Sequence, residues 1–234
     1  MRTIDPDPAV FKTEHDIYVN ALEAAGLDVI RLPPLEDFPD SVFVEDTAIC
    51  VDGVAILLRP GAPSRRGEST AIQPALEDVF SEVVSLPGQG FVDGGDVLLT
   101  DDHAFIGLSK RTNEAGIKAL ATLLSDHGYG VRRVETPGHI LHFKTDCGLI
   151  DAETIFATKA LAEMACFDGY NLLLAPDGEE AAANLIRVNE TVMLSAGFPK
   201  TEAMLRTAGY QVRVIPTTQA ALVDGGLSCM SLRF

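Results

Sequence analysis

One pattern recurs along this chain and restricts its fold more than any single residue does. It is a strand, a tight turn, a second strand, a helix and a third strand. In the first copy, an apolar run over 41–51 meets the hairpin signal Asp52-Gly53 and returns over 54–58. A helix is expected near 70–80 and a closing strand over 82–86. The second copy has strands over 97–100 and 104–108 around Asp101 and Asp102, a helix running to Leu124, and a strand over 131–134. The third has strands over 147–150 and 154–157, a helix near 159–166 and a strand over 171–174. The fourth has strands over 183–188 and 191–194 around Asn189-Glu190, a helix near 200–208 and a strand over 211–215. A period of roughly 45–50 residues is that of ring-forming or stacking repeats.

The chain ends supply the parts left over. A helix is expected over 9–25, with Phe11, Ile17, Leu22 and the alanines on its buried side, stopped by Gly26 and followed by a strand over 27–32. At the other end, Val223-Asp-Gly-Gly-Leu-Ser-Cys229 repeats the turn of Phe91-Val-Asp-Gly-Gly-Asp96 and leads into an apolar, β-rich stretch ending on Phe234. The economical arrangement is an α/β ring of five ββαβ units in one domain spanning 1–234. The C-terminal strand would complete the first unit, and closure would hide sheet edges. The hairpin loops would then face a central cavity.

Composition narrows the partners. A net charge of −16 argues against binding a phosphate backbone and suits a small cation. The four cysteines, at 50, 147, 166 and 229, form no C-x-x-C pair and no zinc-ligand spacing, as expected of reduced thiols in the cytoplasm. No long apolar span or leader pattern is present, so no membrane partner is expected. Within the first unit, Glu45 and Asp46 interrupt an otherwise apolar stretch. Uncompensated carboxylates there would be costly, which favours a cationic ligand. If the stretch is a strand, the two side chains point to opposite faces. A lone cysteine is most often a small buried hydrophobe, and a histidine in an apolar run is most often structural. Cys50, Cys147 and Cys166 keep that reading, as do His15, His103, His127 and His139.

Six stretches, taken together, resemble the dimethylarginine dimethylaminohydrolase family of the guanidino-group-modifying (pentein) superfamily. They are Pro39-Asp-Ser-Val-Phe-Val-Glu-Asp-Thr-Ala48, Arg59-Pro-Gly-Ala-Pro-Ser-Arg-Arg-Gly-Glu68, Asp93-Gly-Gly-Asp-Val97, Gly107-Leu-Ser-Lys-Arg-Thr-Asn113, Leu141-His-Phe-Lys144 and Val223-Asp-Gly-Gly-Leu-Ser-Cys229. The resemblance implies a five-bladed α/β propeller that hydrolyses N-omega-methylated arginine to citrulline and a methylamine, with no cofactor. It implies Cys229 as nucleophile through a thiouronium adduct, His142 as general acid and base, and Asp93 as the carboxylate orienting it. By the same resemblance Asp46 binds the guanidinium with Glu45 as a second contact, and Asp40 holds the α-ammonium. Arg65 and Arg111 clamp the α-carboxylate, and Val223 offers a backbone contact. A guanidinium carbon is a poor electrophile, so a soft nucleophile, pinning carboxylates and a proton shuttle are what this chemistry requires.

Family members carry an extra strand and a substrate-covering loop ahead of the first helix. This sequence starts at Met1 just before that helix, so the first blade is expected to lack a strand. Two other readings share the scaffold: an arginine deiminase or amidinotransferase, and a non-catalytic binding propeller similar to a ribosome anti-association factor. The second should lack the Cys229, His142 and Asp93 set. The expected partner is a small cationic guanidino compound, with self-association as a homodimer left open. The chemistry requires no metal, although a Cys229–His142 pair could take up inhibitory zinc.

Overall fold

A computed structural model describes residues 5–234. Helix α1 (Pro8–Ala24) begins where the Asp7 carboxylate accepts the N–H groups of Ala9 and Val10, with proline in the first turn. Its buried face is Tyr18, Val19, Ala21 and Leu22, not the Phe11 and Ile17 expected; Ile17 is exposed. The helix ends before Gly26, whose φ of +95° is the left-handed conformation that glycine tolerates best.

The four repeats are present in the expected order, each as a three-stranded sheet. In the first, β1 (Ala48–Val51) and β2 (Val54–Leu57) pair antiparallel, and β3 (Glu82–Ser85) joins β2 in parallel after α2 (Arg66–Glu77). Asp52 and Gly53 both take positive φ, 46° and 79°, as a two-residue hairpin turn requires. The second sheet has β4 (Val97–Leu99) and β5 (His103–Leu108), then α3 (Glu114–Asp126) and β6 (Gly130–Glu135). The third has β7 (Cys147–Leu149), β8 (Thr154–Ala157), the single-turn α4 (Lys159–Ala162) and β9 (Asn171–Leu174). The fourth has β10 (Ile186–Val188), β11 (Thr191–Ser195), α5 (Pro199–Thr207) and β12 (Gln211–Ile215). A short helix that sequence patterning did not signal, α6 (Thr218–Ala221), follows.

Two compact units are built from these elements. One comprises the described residues up to Arg31 with Thr145–Ser228, and the other Leu32–Lys144 with Cys229–Phe234. In the second, Ile49, Ile56, Leu58, Ile106, Leu120 and Leu124 form the core between sheets and helices. In the first, Ile150, Phe156, Leu185, Val192, Leu194 and Leu205 do the same. No helix among the described residues is long and apolar enough to cross a membrane.

The expected end strands are absent. Residues 27–32 and 223–234 join no sheet. The C-terminal stretch is nonetheless fixed, by individual hydrogen bonds instead of a ladder. The Tyr18 hydroxyl donates to the Leu227 carbonyl at 2.9 Å, and Asn184 Oδ1 accepts the Ser228 N–H at 3.0 Å. β-forming residues supplied the strand signal, but a strand also needs a partner edge with free backbone groups, which composition does not reveal.

Candidate active site

The residues Val44–Thr47 form a 3-10 turn, not the strand that their apolar flanks suggested. Thr47 closes it by donating its hydroxyl to the Val44 carbonyl at 2.7 Å. With about three residues per turn, neighbouring side chains need not point to opposite faces. Glu45 and Asp46 are consequently both buried. Glu45 Oε1 accepts from Lys144 Nζ at 2.6 Å, and the Glu45 N–H donates to the Cys229 carbonyl at 3.2 Å. That backbone bond ties the thiol-bearing residue to the carboxylate-bearing turn. Asp46 Oδ1 accepts the Gly95 N–H at 2.8 Å, while Oδ2 pairs with Arg65.

The Gly94-Gly95 pair is what allows this approach. A Cβ on Gly94 would lie 2.0 Å from the Glu45 carbonyl oxygen, and one on Gly95 would lie 2.7 Å from His142 Nδ1 and 2.9 Å from Asp46 Oδ1. Any side chain here would push apart the groups that the turn gathers. Just before this pair, Asp93 is fully buried. Its Oδ1 accepts the Gly61 N–H at 2.7 Å, and its Oδ2 lies 2.9 Å from His142 Nε2. Arg111 approaches the same oxygen at 3.8 Å.

Burial alone would push the His142 imidazole towards its neutral form. The negative charge of Asp46, the bond to Asp93 and the nearby Asp96 outweigh that and raise its pKa to about 9. His142 is therefore protonated at neutral pH. Burial would likewise raise the Asp46 pKa, but His142, Arg65 and the Gly95 N–H together hold it below the usual carboxylate value. Asp46, Asp93 and His142 bring ligand atoms within 4.8 Å of one another, the one grouping of this kind among the described residues. The Asp93 bond engages His142 Nε2, the nitrogen nearest Asp46.

Arg65 is 5% exposed, and each of its three guanidinium nitrogens is engaged. Nε faces both Glu68 oxygens at 3.0 Å, Nη2 reaches Glu68 Oε2 at 2.6 Å and the Phe43 carbonyl at 2.8 Å, and Nη1 pairs with Asp46. Placed this way, it holds Asp46 in position. Arg111 is half-buried in the loop before α3. Asp40 is half-buried, its carbonyl accepting from Arg65 at 3.3 Å. Asp40, Glu45, Asp46, Arg65, Asp93, Arg111, His142 and Cys229 thus share one compact unit, whereas Val223, just after α6, belongs to the other. Cys229 is half-buried and in no disulfide. Burial pushes the Cys50 thiol up to about 12, which leaves that residue inert.

Sequence reasoning assigned no role to Glu68, Asp96, Thr112 or Lys144. All four lie within the quoted motifs, Glu68 and Lys144 at their ends, so the signal was present, but a motif does not say which of its polar groups turns inward.

A family model described as N,N dimethylarginine dimethylhydrolase, eukaryotic, matches residues 9–146. The chain is 38% identical over 232 residues to the N(G),N(G)-dimethylarginine dimethylaminohydrolase of Pseudomonas aeruginosa, covering 98% of this chain and 90% of that protein. A solved structure of a Cys→Ser mutant of the Pseudomonas aeruginosa enzyme, complexed with citrulline, superposes with a TM-score of 0.94 at 37% identity, covering 98% and 90% of the two chains. The N-terminal domain of a cyanobacterial arginine dihydrolase, at a TM-score of 0.85 and 18% identity over 97% of this chain and 87% of that one, shares the fold.

Proposed function

The chain belongs to the dimethylarginine dimethylaminohydrolase family, and from that membership we propose how its residues divide the work of hydrolysing N-omega-methylarginines to citrulline and a methylamine. The observation that carries the assignment is the buried pair of His142 and Asp93, 2.9 Å apart and beside the Asp46 carboxylate. A proton donor and a cation-binding carboxylate side by side are what an amidine hydrolase needs.

Asp46 and Glu45 neutralise the guanidinium and fix its plane, and Arg111 and Asp40 take the α-carboxylate and α-ammonium. The Cys229 thiolate attacks the guanidinium carbon, forming a C–S bond. His142, charged at neutral pH, gives its proton to the substituted nitrogen as the C–N bond breaks. The amine leaves and a thiouronium remains on Cys229. The now neutral His142 takes a proton from water, whose oxygen adds to the same carbon. The C–S bond then breaks, releasing citrulline and the thiolate, and the remaining proton passes to solvent, where it protonates the amine already released. Asp93 keeps the imidazole oriented throughout, and Arg65 keeps Asp46 in place.

The architecture is read as a single five-unit ring. Four sheets of one strand order support this, with α1 and the two strandless chain ends left to form the fifth unit.

The decisive assay is citrulline formation from asymmetric dimethylarginine, monomethylarginine and arginine. Wild type should use the methylated substrates, and Cys229→Ser should lose at least ~10³-fold in kcat, as removal of a nucleophile does. No citrulline from any methylated substrate would overturn the reading, and turnover of arginine alone would make the protein a deiminase.

A further inference from the structure

The carboxylate of Asp96 lies behind the residues assigned to chemistry, and its contacts connect them. It is fully buried at the end of the turn Gly94–Asp96. Oδ1 accepts the Phe143 N–H at 2.9 Å, the amide immediately after His142. Oδ2 accepts the Ser109 hydroxyl at 2.6 Å, and Ser109 Oγ in turn accepts the Arg111 N–H at 2.9 Å. A third donor is the Thr112 hydroxyl, whose oxygen accepts the Asp93 N–H at 3.1 Å. The preceding residue, Gly95, donates its own N–H to Asp46.

The geometry points to Asp96 as a positioning residue that sets the relative placement of His142, Arg111 and Asp93 through these three hydrogen-bonded arms. The inference rests on the hydrolase reading and deepens it. Three loops converge on one anion: 93–96, 109–112 and 142–145. Each arm donates to the carboxylate, so only a full acceptor serves all three. Gly107 keeps the space around it clear, since a Cβ there would meet Phe143 Cβ at 2.7 Å and Asp96 Oδ1 at 3.3 Å. A structural carboxylate could have been placed anywhere in the core. This one touches no cation, and every donor it accepts is on, or one or two residues from, a residue of the site.

Two consequences separate positioning from mere support of the fold. Asp96 also contributes negative charge towards His142, together with Asp46 and Asp93, while Arg111 and Arg65 supply the nearby positive charge. Losing that charge makes the imidazolium a stronger acid. The arms also act on different steps, since the Ser109 arm reaches the group assigned to substrate binding and the Phe143 arm the group assigned to proton transfer.

The test is steady-state kinetics across pH on the full chain with asymmetric dimethylarginine, comparing wild type, Asp96→Asn, Ser109→Ala and Thr112→Val. Asparagine keeps the shape but turns one acceptor into a donor. Its kcat should fall ~10–100-fold, as small misplacements of reacting groups do, and the alkaline limb of its pH profile should move to lower pH. Ser109→Ala should raise KM several-fold with kcat nearly kept, and Thr112→Val should lower kcat. If wild type is active and all three folded variants keep its kcat, KM and pH limbs, the positioning role is overturned while the hydrolase reading stands. If Asp96→Asn does not fold, the Ser109→Ala split between KM and kcat decides alone, and its absence overturns the role. An inactive wild type would overturn the hydrolase reading and this role with it.

Discussion

The unit holding residues 32–144 and 229–234 buries Glu45, Asp46, Glu68, Asp93 and Asp96 together with Arg65 and His142. The other unit, built from the same repeat, buries one charged side chain among its described residues, Glu179. The contrast is sharpest just before the first strand of three of the four hairpins. One unit places Glu45 and Asp46 there ahead of β1, and Asp93 and Asp96 ahead of β4. The other places Ala182, Ala183 and Asn184 ahead of β10. The backbone device is shared, and only the side chains differ. Neutral residues at this position need only packing, whereas charged ones need partners. In the charged unit five buried carboxylates face one buried guanidinium and one imidazolium, with Lys144 and Arg111 half-buried at the margins. The excess of negative charge suits a cationic ligand. The repeat provides a position; the charge placed on it provides a function.

The buried charges of this unit are most sensitive to the loss of Arg65. Its replacement by methionine leaves Asp46 and Glu68 buried without their cation, and breaking such a buried network costs about 3–5 kcal/mol. Urea denaturation should show a loss of that size for Arg65→Met, with most of it recovered when Asp46→Asn and Glu68→Gln are added. A loss below about 1 kcal/mol would mean that the buried charges are better solvated than their burial indicates.

The second difference is one of pH. The His142 pKa is raised from 6.5 to about 9, so the folded state holds the proton more tightly than the unfolded one. Stability from this group is fully present below about pH 6.5 and is lost as pH rises through about 9. A shift of this size corresponds to roughly 3 kcal/mol. His15, in the other unit, shifts the opposite way, since burial and the nearby Arg31 lower its pKa. Denaturation at pH 6 and pH 9.5 should therefore show wild type losing stability and His142→Asn losing much less. Equal losses in both proteins would place the titrating group elsewhere.

How much of this was legible depends on what kind of signal each feature leaves. The repeats were, because strand pairs and turns write local patterns. Asp52-Gly53 and Asn189, with φ of 46°, 79° and 50°, stand at hairpin turns expected from residue type alone. The inward direction of Glu45 and Asp46 was half legible. Their cost in an apolar run was evident, but the 3-10 turn that lets both be buried depends on Gly94 and Gly95, some fifty positions away in the chain. The roles of His142 and Asp93 came from a family resemblance, since nothing local pairs residues that far apart. Arg65 carries the same warning. The sequence places it in a loop and does not show that Glu68 and Asp46 will bind its guanidinium. The end strands were misread because ladder partners are a property of the assembled fold.

Glu179 provides the smallest test and the cleanest control. Its two oxygens accept the Lys200 N–H at 3.0 Å, the Thr201 N–H at 2.7 Å and the Thr201 hydroxyl at 2.8 Å. Those amides are among the first-turn donors of α5 that no helical carbonyl can satisfy. The carboxylate therefore does the work of a helix cap supplied from elsewhere in the chain, and its burial is explained without a ligand. Glu179→Ala should cost about 1–2 kcal/mol, the cost of leaving such donors unpaired, and should leave kcat and KM for asymmetric dimethylarginine unchanged. The same substitution logic applied to Asp96, also buried and also accepting three donors, is expected to alter kinetics. If Glu179→Ala changed kcat/KM as much as Asp96→Asn does, burial of a carboxylate would not discriminate between the units, and the contrast drawn between them would have to rest on something else.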